Sequence, residues 1–254
     1  MEESKSKNTW VFNSNDDGPK LGKLRSETLY RVITFLIGCV GLSILSATLT
    51  VVVAIFLPGI LQEDSPDRII GLTLINSLQY LLLIGGLCFF LWPRFFVLVR
   101  RFKNWANVII GLGFGAAVIG ITLLYSYLIS SVVDPGSNNN QVAAESIITS
   151  FPGLSIFILG FVGPICEELT YRFGLFGALK RKSRILAYIV SAIVFGFIHF
   201  DFTGNLIVEL LNLPTYILCG LLFGLAYDFF GIEASITAHV TNNIYAVIVT
   251  LINQ

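Results

Sequence analysis

Long apolar runs separated by short polar stretches organise this chain. Counted against the roughly 20 residues that a helix needs to cross about 30 Å of hydrocarbon, the runs predict seven membrane spans, within limits of six and eight. They are Val32 to Leu57, Ile69 to Leu91, Trp105 to Val133, Leu154 to Leu175, Ile185 to Phe200, Thr215 to Phe230 and Ser235 to Ile252, the last three shorter or weaker than the rest. Glu209 and Pro214 interrupt the stretch Asn205 to Pro214, which reads as a short interfacial or re-entrant helix rather than a full crossing. The first run is too long for the core of a signal peptide and has no small-residue cleavage site after it, so it reads as a retained helix. The expected fold class is all-α: a polytopic membrane helix bundle in one integral membrane domain. A polar tail, 1–31, precedes the N-terminal membrane helices, 32–153. The tail through Asp17 is rich in Ser, Asn and charge and is expected to lack packed structure, and "DPGSNNNQ", Asp134 to Gln141, reads as an exposed loop.

Composition strengthens the membrane reading and adds an orientation. Of 254 residues 55% are hydrophobic and 13% charged, where a soluble domain carries about a quarter charged, and the mean hydropathy is +0.79. The net charge of zero hides a segregation of the sixteen basic residues. Lys5, Lys7, Lys20, Lys23, Arg25 and Arg31 precede span one; Arg94, Arg100, Arg101 and Lys103 follow span two; Lys180, Arg181, Lys182 and Arg184 follow span four. Basic residues accumulate in cytoplasmic loops, so these segments, the N-terminus included, are expected in the cytoplasm. The loops with Glu63, Asp64, Asp67 and Arg68, and with Asp134 and Glu145, are expected on the other face, and Gly231 to Ala234 has no basic residue to orient it. The loop-poor layout suits a bacterial plasma membrane, and nothing suggests nucleic acid as a partner. Cys39, Cys88, Cys166 and Cys219 all lie in apolar spans without a CxxC pair, so neither a disulfide framework nor a thiolate metal site is indicated. Cys166 reads as packing, because neighbouring carboxylates and low dielectric keep it a thiol. Gly111 with Gly115 and Gly220 with Gly224 permit close helix contact in lipid.

Against this background "PICEELTYRFGLFGAL", Pro164 to Leu179, stands out. Ionised groups at mid-bilayer cost about 2.5 to 3.5 kcal/mol each on insertion scales, so they normally face a bundle interior and serve a function. Glu168 and Arg172 are four apart with the acid first, the favourable order for an intrahelical pair. Glu167 points about 100° away around the helix and has Tyr171 four residues ahead, which leaves one carboxylate free to work. A position at the cytoplasmic mouth of span four would make the charge inexpensive, but about 18 Å of helix separates Glu167 from the cluster at Lys180. Pro164 cannot donate to the carbonyl of Gly160, so a bend is expected just before the acids.

Both histidines of the chain, His199 and His239, fall in apolar spans after the acidic one, and Asn243 stands one turn beyond His239 on the same face. A glutamate, two imidazoles and an amide can activate a water and stabilise an oxyanion. The same groups can ligate zinc.

"EELTYR" (Glu167 to Arg172) matches EExxxR, "FGFIH" (Phe195 to His199) matches FxxxH, and "HVTNN" (His239 to Asn243) matches HxxxN. In this order on successive membrane helices, they resemble the CPBP family of type II CAAX prenyl endopeptidases and bacteriocin-processing enzymes, also called the Abi family. The resemblance covers about the last 100 residues and marks 154–254 as a catalytic core. It implies an intramembrane endopeptidase in which Glu167, helped by His199, activates water, His239 and Asn243 hold the oxyanion, and Glu168 and Arg172 keep the site assembled. Both a zinc-dependent and a metal-free mechanism are implied; with a metal, Glu167, His199 and His239 would ligate it. No HExxH motif is present to strengthen the zinc account.

Counted from the cytoplasmic ends, His199 lies about 21 Å deep and His239 about 6 Å deep. A water-filled cavity open to the cytoplasm is the expected way for them to meet, since hydrolysis needs water. The expected substrate is a peptide or membrane protein. Two other classes fit less well: a bacteriocin-immunity or scaffold protein binding another membrane protein has no need of costly intramembrane polar groups. A proton-relay transporter would be expected to show an inverted repeat, and none is seen.

Overall fold

The structure is a computed structural model that describes residues 27–253, and among these every regular element is a helix. In chain order they are α1 (Glu27–Phe56), α2 (Arg68–Phe90), α3 (Trp92–Arg101), α4 (Trp105–Ser130), α5 (Asn139–Ser150), α6 (Pro152–Lys180), α7 (Arg184–Phe197), α8 (Leu206–Phe230) and α9 (Ile232–Ile252). Six of them, α1, α2, α4, α6, α8 and α9, are long and apolar enough to cross a membrane, and α7 is a shorter apolar helix. The protein is a multi-pass membrane protein. The tail reading and its five basic residues up to Arg25 fall outside the described residues.

Several boundaries differ from expectation, each for a reason visible in the packing. Helix α1 already includes Glu27, ahead of the expected Val32, and Arg31 is buried instead of belonging to a polar tail. Its guanidinium donates to the Phe173 carbonyl at 2.7 Å and lies 2.9 Å from the Tyr227 hydroxyl, which meets the cost of taking a cation out of water. The segment 205–214 is not a separate interfacial helix but the start of α8, with Pro214 inside it. Asn205 caps that helix by accepting from the N–H groups of Ile207 and Val208. Buried Glu209 accepts from the backbone N–H groups of Asn139 and Asp201, both at 3.1 Å, so a residue that looked like an interruption is satisfied from other segments. The exposed loop ends earlier than expected, because Asn138 and Gln141 form a capping box that starts α5, a helix the hydrophobic runs did not show. Amphipathic α3, which carries Arg94, Arg100 and Arg101, was likewise not anticipated.

Helix α6 runs through the middle of the bundle, and two of its stretches, Ile158–Val162 and Glu168–Phe176, wind as π-helix. Helices α4 and α9 pack closely because a Cβ on Gly111 would lie 2.6 Å from the Ala234 carbonyl, and one on Gly115 would lie 2.6 Å from Thr241 Cβ. Helices α8 and α9 join through Gly231 alone, at φ 91°, where an added Cβ would meet the Glu233 carboxylate at 2.7 Å.

Ion pairs tie the helix ends together where the basic clusters lie. Asp228 of α8 pairs with Lys180 at 2.5 Å and with Arg184, and accepts from the Tyr188 hydroxyl at 2.7 Å. Glu233 of α9 accepts from Asn107 at 2.7 Å and faces Arg101 at 4.0 Å, while Arg94 pairs with Glu27. The opposite end is held by lighter contacts. Asn139 donates to Asp201 at 2.6 Å, and this bond, with those from Thr203, holds the Asp201 carboxyl down to about 2.

Candidate active site

Helix α6 supplies three neighbouring polar groups, and the structure separates them as their helical spacing requires. The fully buried Glu168 and Arg172 form an ion pair, Nε to Oε2 3.4 Å, on one face. Arg172 also donates to the Gly220 carbonyl at 3.2 Å, and its guanidinium lies over the Phe195 and Phe223 rings at 4.2 and 5.3 Å. Buried among these partners, the cation gains cation–π attraction at its greatest strength.

Glu168 does more than neutralise Arg172. Its Oε1 lies 2.9 Å from His239 Nδ1, and its Oε2 accepts from the Ser235 hydroxyl. Because a carboxylate only accepts, Nδ1 of His239 carries the proton, which leaves Nε2 free of that bond. That nitrogen points across 3.8 Å to Oε2 of Glu167. The other Glu167 oxygen, Oε1, accepts from the Tyr80 hydroxyl of α2 at 3.1 Å. Glu167 Oε2 is buried and makes no hydrogen bond among the described residues. One oxygen of this carboxylate is thus anchored and the other free.

His199 sits just past the end of α7, with Nδ1 3.0 Å from the Phe195 carbonyl and its ring stacked on Tyr216 at 4.5 Å. The carbonyl fixes the Nδ1 proton in the same way, so Nε2 is the basic atom. Both imidazoles flank Phe195, with ring centroids 5.0 Å from His199 and 5.7 Å from His239. Packed on one aromatic ring, the two imidazoles lie closer together than the depth difference that residue counting gave.

Asn243 donates from Nδ2 to the Leu159 carbonyl at 2.9 Å and has one N–H left over. The π-wound stretch before Pro164 explains this contact. There Gly163 donates to the Ile158 carbonyl, and the next donor in that register would be residue 164, a proline without an N–H. The carbonyl left over is that of Leu159 rather than Gly160, and Asn243 takes it.

Glu167, His199, His239 and Asn243 all line one cavity of about 390 Å³. Most of its remaining wall comes from the halves of the helices far from the basic clusters: Thr122 and Ser126 late in α4, Asn140 at the start of α5, Tyr216 in the first half of α8 and Tyr245 late in α9. The cavity accordingly opens toward the end with the loops 131–138 and 198–205, and the expectation of an opening on the basic side is corrected. On that side Arg172, Phe173, Phe176, Phe195 and Phe223, all buried, fill the space.

Glu167, His199 and His239 stand in one cavity, but among the described residues no group of three His, Cys, Asp or Glu is gathered closely enough to hold a metal ion. His239 has one ring nitrogen on Glu168, and His199 has one on a backbone carbonyl. Tyr80 and Ser235 were not anticipated from the sequence. A hydroxyl in a membrane helix is unremarkable until the helix opposite it is known.

The fold and the cavity define a polytopic membrane protein whose ionisable groups converge inside the bundle. Residues 149–245 match the family model described as type II CAAX prenyl endopeptidase Rce1-like. Among similar curated proteins are an uncharacterized protein of Mycoplasma capricolum, 28% identical over 51% of this chain and 40% of its own length, and the membrane-embedded CAAX protease MroQ of Staphylococcus aureus, 29% identical over 54% and 58%. The putative membrane peptidase YdiL of Bacillus subtilis is 33% identical over 45% of this chain and 44% of its own length. The matches thus span about half the length of these relatives. No solved structure matches the chain.

Proposed function

We propose that the chain is an intramembrane endopeptidase that hydrolyses a peptide bond in a membrane-associated peptide or protein. The observation that carries the reading is the divided state of Glu167: one oxygen fixed by Tyr80, the other unbonded and turned toward His239 in a cavity shared with His199 and Asn243.

In this reading Glu167 Oε2 takes a proton from water as the water oxygen bonds to the scissile carbonyl carbon. His199, through Nε2, helps to hold that water. The oxyanion of the tetrahedral intermediate is met by the free N–H of Asn243 and by His239, whose protonated form is backed by the Glu168 carboxylate. When the C–N bond breaks, Glu167 returns its proton to the departing amine. Glu168 and Arg172 are positioning residues, since they act through His239 and the helix rather than on substrate. The family match and the names of the similar proteins support this class of reaction. With the basic clusters in the cytoplasm of a bacterial plasma membrane, the cavity faces the outer side and receives substrate there.

The test compares purified Glu167→Gln, His199→Gln, His239→Gln and Asn243→Ala with the native chain for cleavage of a membrane peptide in detergent, at matched protein levels. Each single change is expected to lower turnover by orders of magnitude, and a second change to add little, because the four groups serve one transition state. Well-folded variants with full activity would sink the reading and leave a non-catalytic scaffold or immunity role.

A further inference from the structure

A second, larger cleft of about 880 Å³ lies between α1, α2 and α5, and Asn76, Ala143 and Ile147 line both it and the catalytic cavity. Polar groups interrupt its largely apolar wall: Ser65, Asn76, Gln79, Ser146 and Ser150 all border it. Asn76 and Gln79, three apart on one face of α2, each keep a buried amide oxygen with no hydrogen-bond donor among the described residues. An unmet buried acceptor is costly, and an extended peptide brings an N–H to such a wall at every residue. At the far end of the cleft stands Arg68, the one charged side chain among the described residues that line it. It is exposed and makes no ion pair among the described residues.

Resting on the endopeptidase reading, we propose that this cleft seats the substrate chain to one side of the scissile bond, and that Arg68 receives a carboxylate carried by that chain. The amides of Asn76 and Gln79 bind the extended backbone between them. Arg68, Leu72, Asn76 and Tyr80 follow one face of α2, and the twelve residues from Arg68 to the Glu167 anchor Tyr80 span about 18 Å. At roughly 3.3 Å per extended residue, the carboxylate lies about five residues from the cleaved bond. It is either an Asp or Glu side chain or a free C-terminus.

Two measurements test this with the full chain in detergent micelles. The first digests three random peptide libraries and sequences the products: one carrying Asp and Glu with amidated C-termini, one lacking Asp and Glu with free C-termini, and one lacking both kinds of carboxylate. Native enzyme is expected to favour a carboxylate about five residues from the cut, and the first two libraries tell side chain from terminus. Arg68→Gln is expected to raise KM about tenfold for such peptides, leaving kcat and the third library unchanged. The second titrates a fluorescent peptide containing the preferred sequence onto Glu167→Gln, alone and with Arg68→Gln. A tenfold weaker Kd in the double variant is expected. Glu167-dependent cleavage without a carboxylate preference, or equal Kd values, would overturn the cleft assignment alone. Cleavage that does not depend on Glu167, or none at all, would overturn the endopeptidase reading and this inference with it.

Discussion

The two ends of the bundle treat buried polar groups in opposite ways. At the basic end each carboxylate has a cation: Asp228 has Lys180 and Arg184, Glu233 has Arg101, and Glu27 has Arg94. Toward the other end Glu167, Asn76 and Gln79 each retain an oxygen with no donor among the described residues. Pairing makes one end a clamp, and its absence makes the other a place where a water or a peptide can complete the bonding. The presence of charge in the apolar spans does not separate structure from chemistry here; its pairing with an arginine or lysine does. Glu168 lies where the two regimes meet, paired like a clamp residue yet in contact with His239 of the cavity.

The largest effect is expected at that junction. Glu168→Ala strands the buried Arg172 and releases His239, so roughly 3 to 5 kcal/mol of stability should be lost together with turnover. Glu167→Gln keeps a group that can accept from Tyr80 and strands no cation, so its stability should stay near native while activity disappears. Thermal unfolding in one detergent, read beside cleavage, checks both; equal destabilisation of the two variants would erase the contrast between adjacent acids.

Helical spacing alone revealed this contrast, because Glu168 and Arg172 share a face and Glu167 does not. The long spans were equally legible, since lipid admits few alternatives to an apolar helix. What the chain could not show were relations between helices. Glu209 looked like a break because its two backbone donors, at Asn139 and Asp201, lie in other segments. His239 was expected to serve the oxyanion or a metal, yet its contact with Glu168 crosses from α9 to α6. Tyr80 carries no motif, and α3 and α5 are too short and too mixed to register as apolar runs. The side on which the cavity opens was misjudged from residue counting, because packed phenylalanines close the basic side.

Next in size is Tyr80→Phe, which removes a hydrogen bond that anchors the Glu167 carboxylate. A hydrogen bond to a charged group contributes about 1.5 to 3 kcal/mol, so kcat should fall about tenfold with KM nearly unchanged. A rise in KM at native kcat would remove Tyr80 from the site.

Asp228→Asn probes the clamp from the other side. Arg184 is 52% exposed and Lys180 24%, so solvent already screens much of the attraction and the loss is expected near 1 kcal/mol. Turnover per folded molecule should stay within about twofold, because ion pairs at the clamp meet no reacting atom. A drop in kcat as deep as that of Tyr80→Phe would show that the two ends are not independent.

The smallest effect tests how the open end is held. The Asp201 carboxyl is depressed to about 2, against about 3.9 for a free aspartate, so the charged form favours the folded contact with Asn139 and Thr203. A depressed carboxyl contributes stability above its unfolded value and loses it as pH falls through the folded one. The clasp between α5 and the loop 198–205 should therefore loosen between about pH 4 and pH 2. Amide hydrogen exchange over 139–146 and 201–205 reports that loosening directly. In Asp201→Asn the side chain stays neutral throughout, so the extra exchange should already be present at pH 4 and change less on acidification. The same pH response in both proteins would show that Asp201 does not hold the clasp, and leave the open end held by the Glu209 bonds instead.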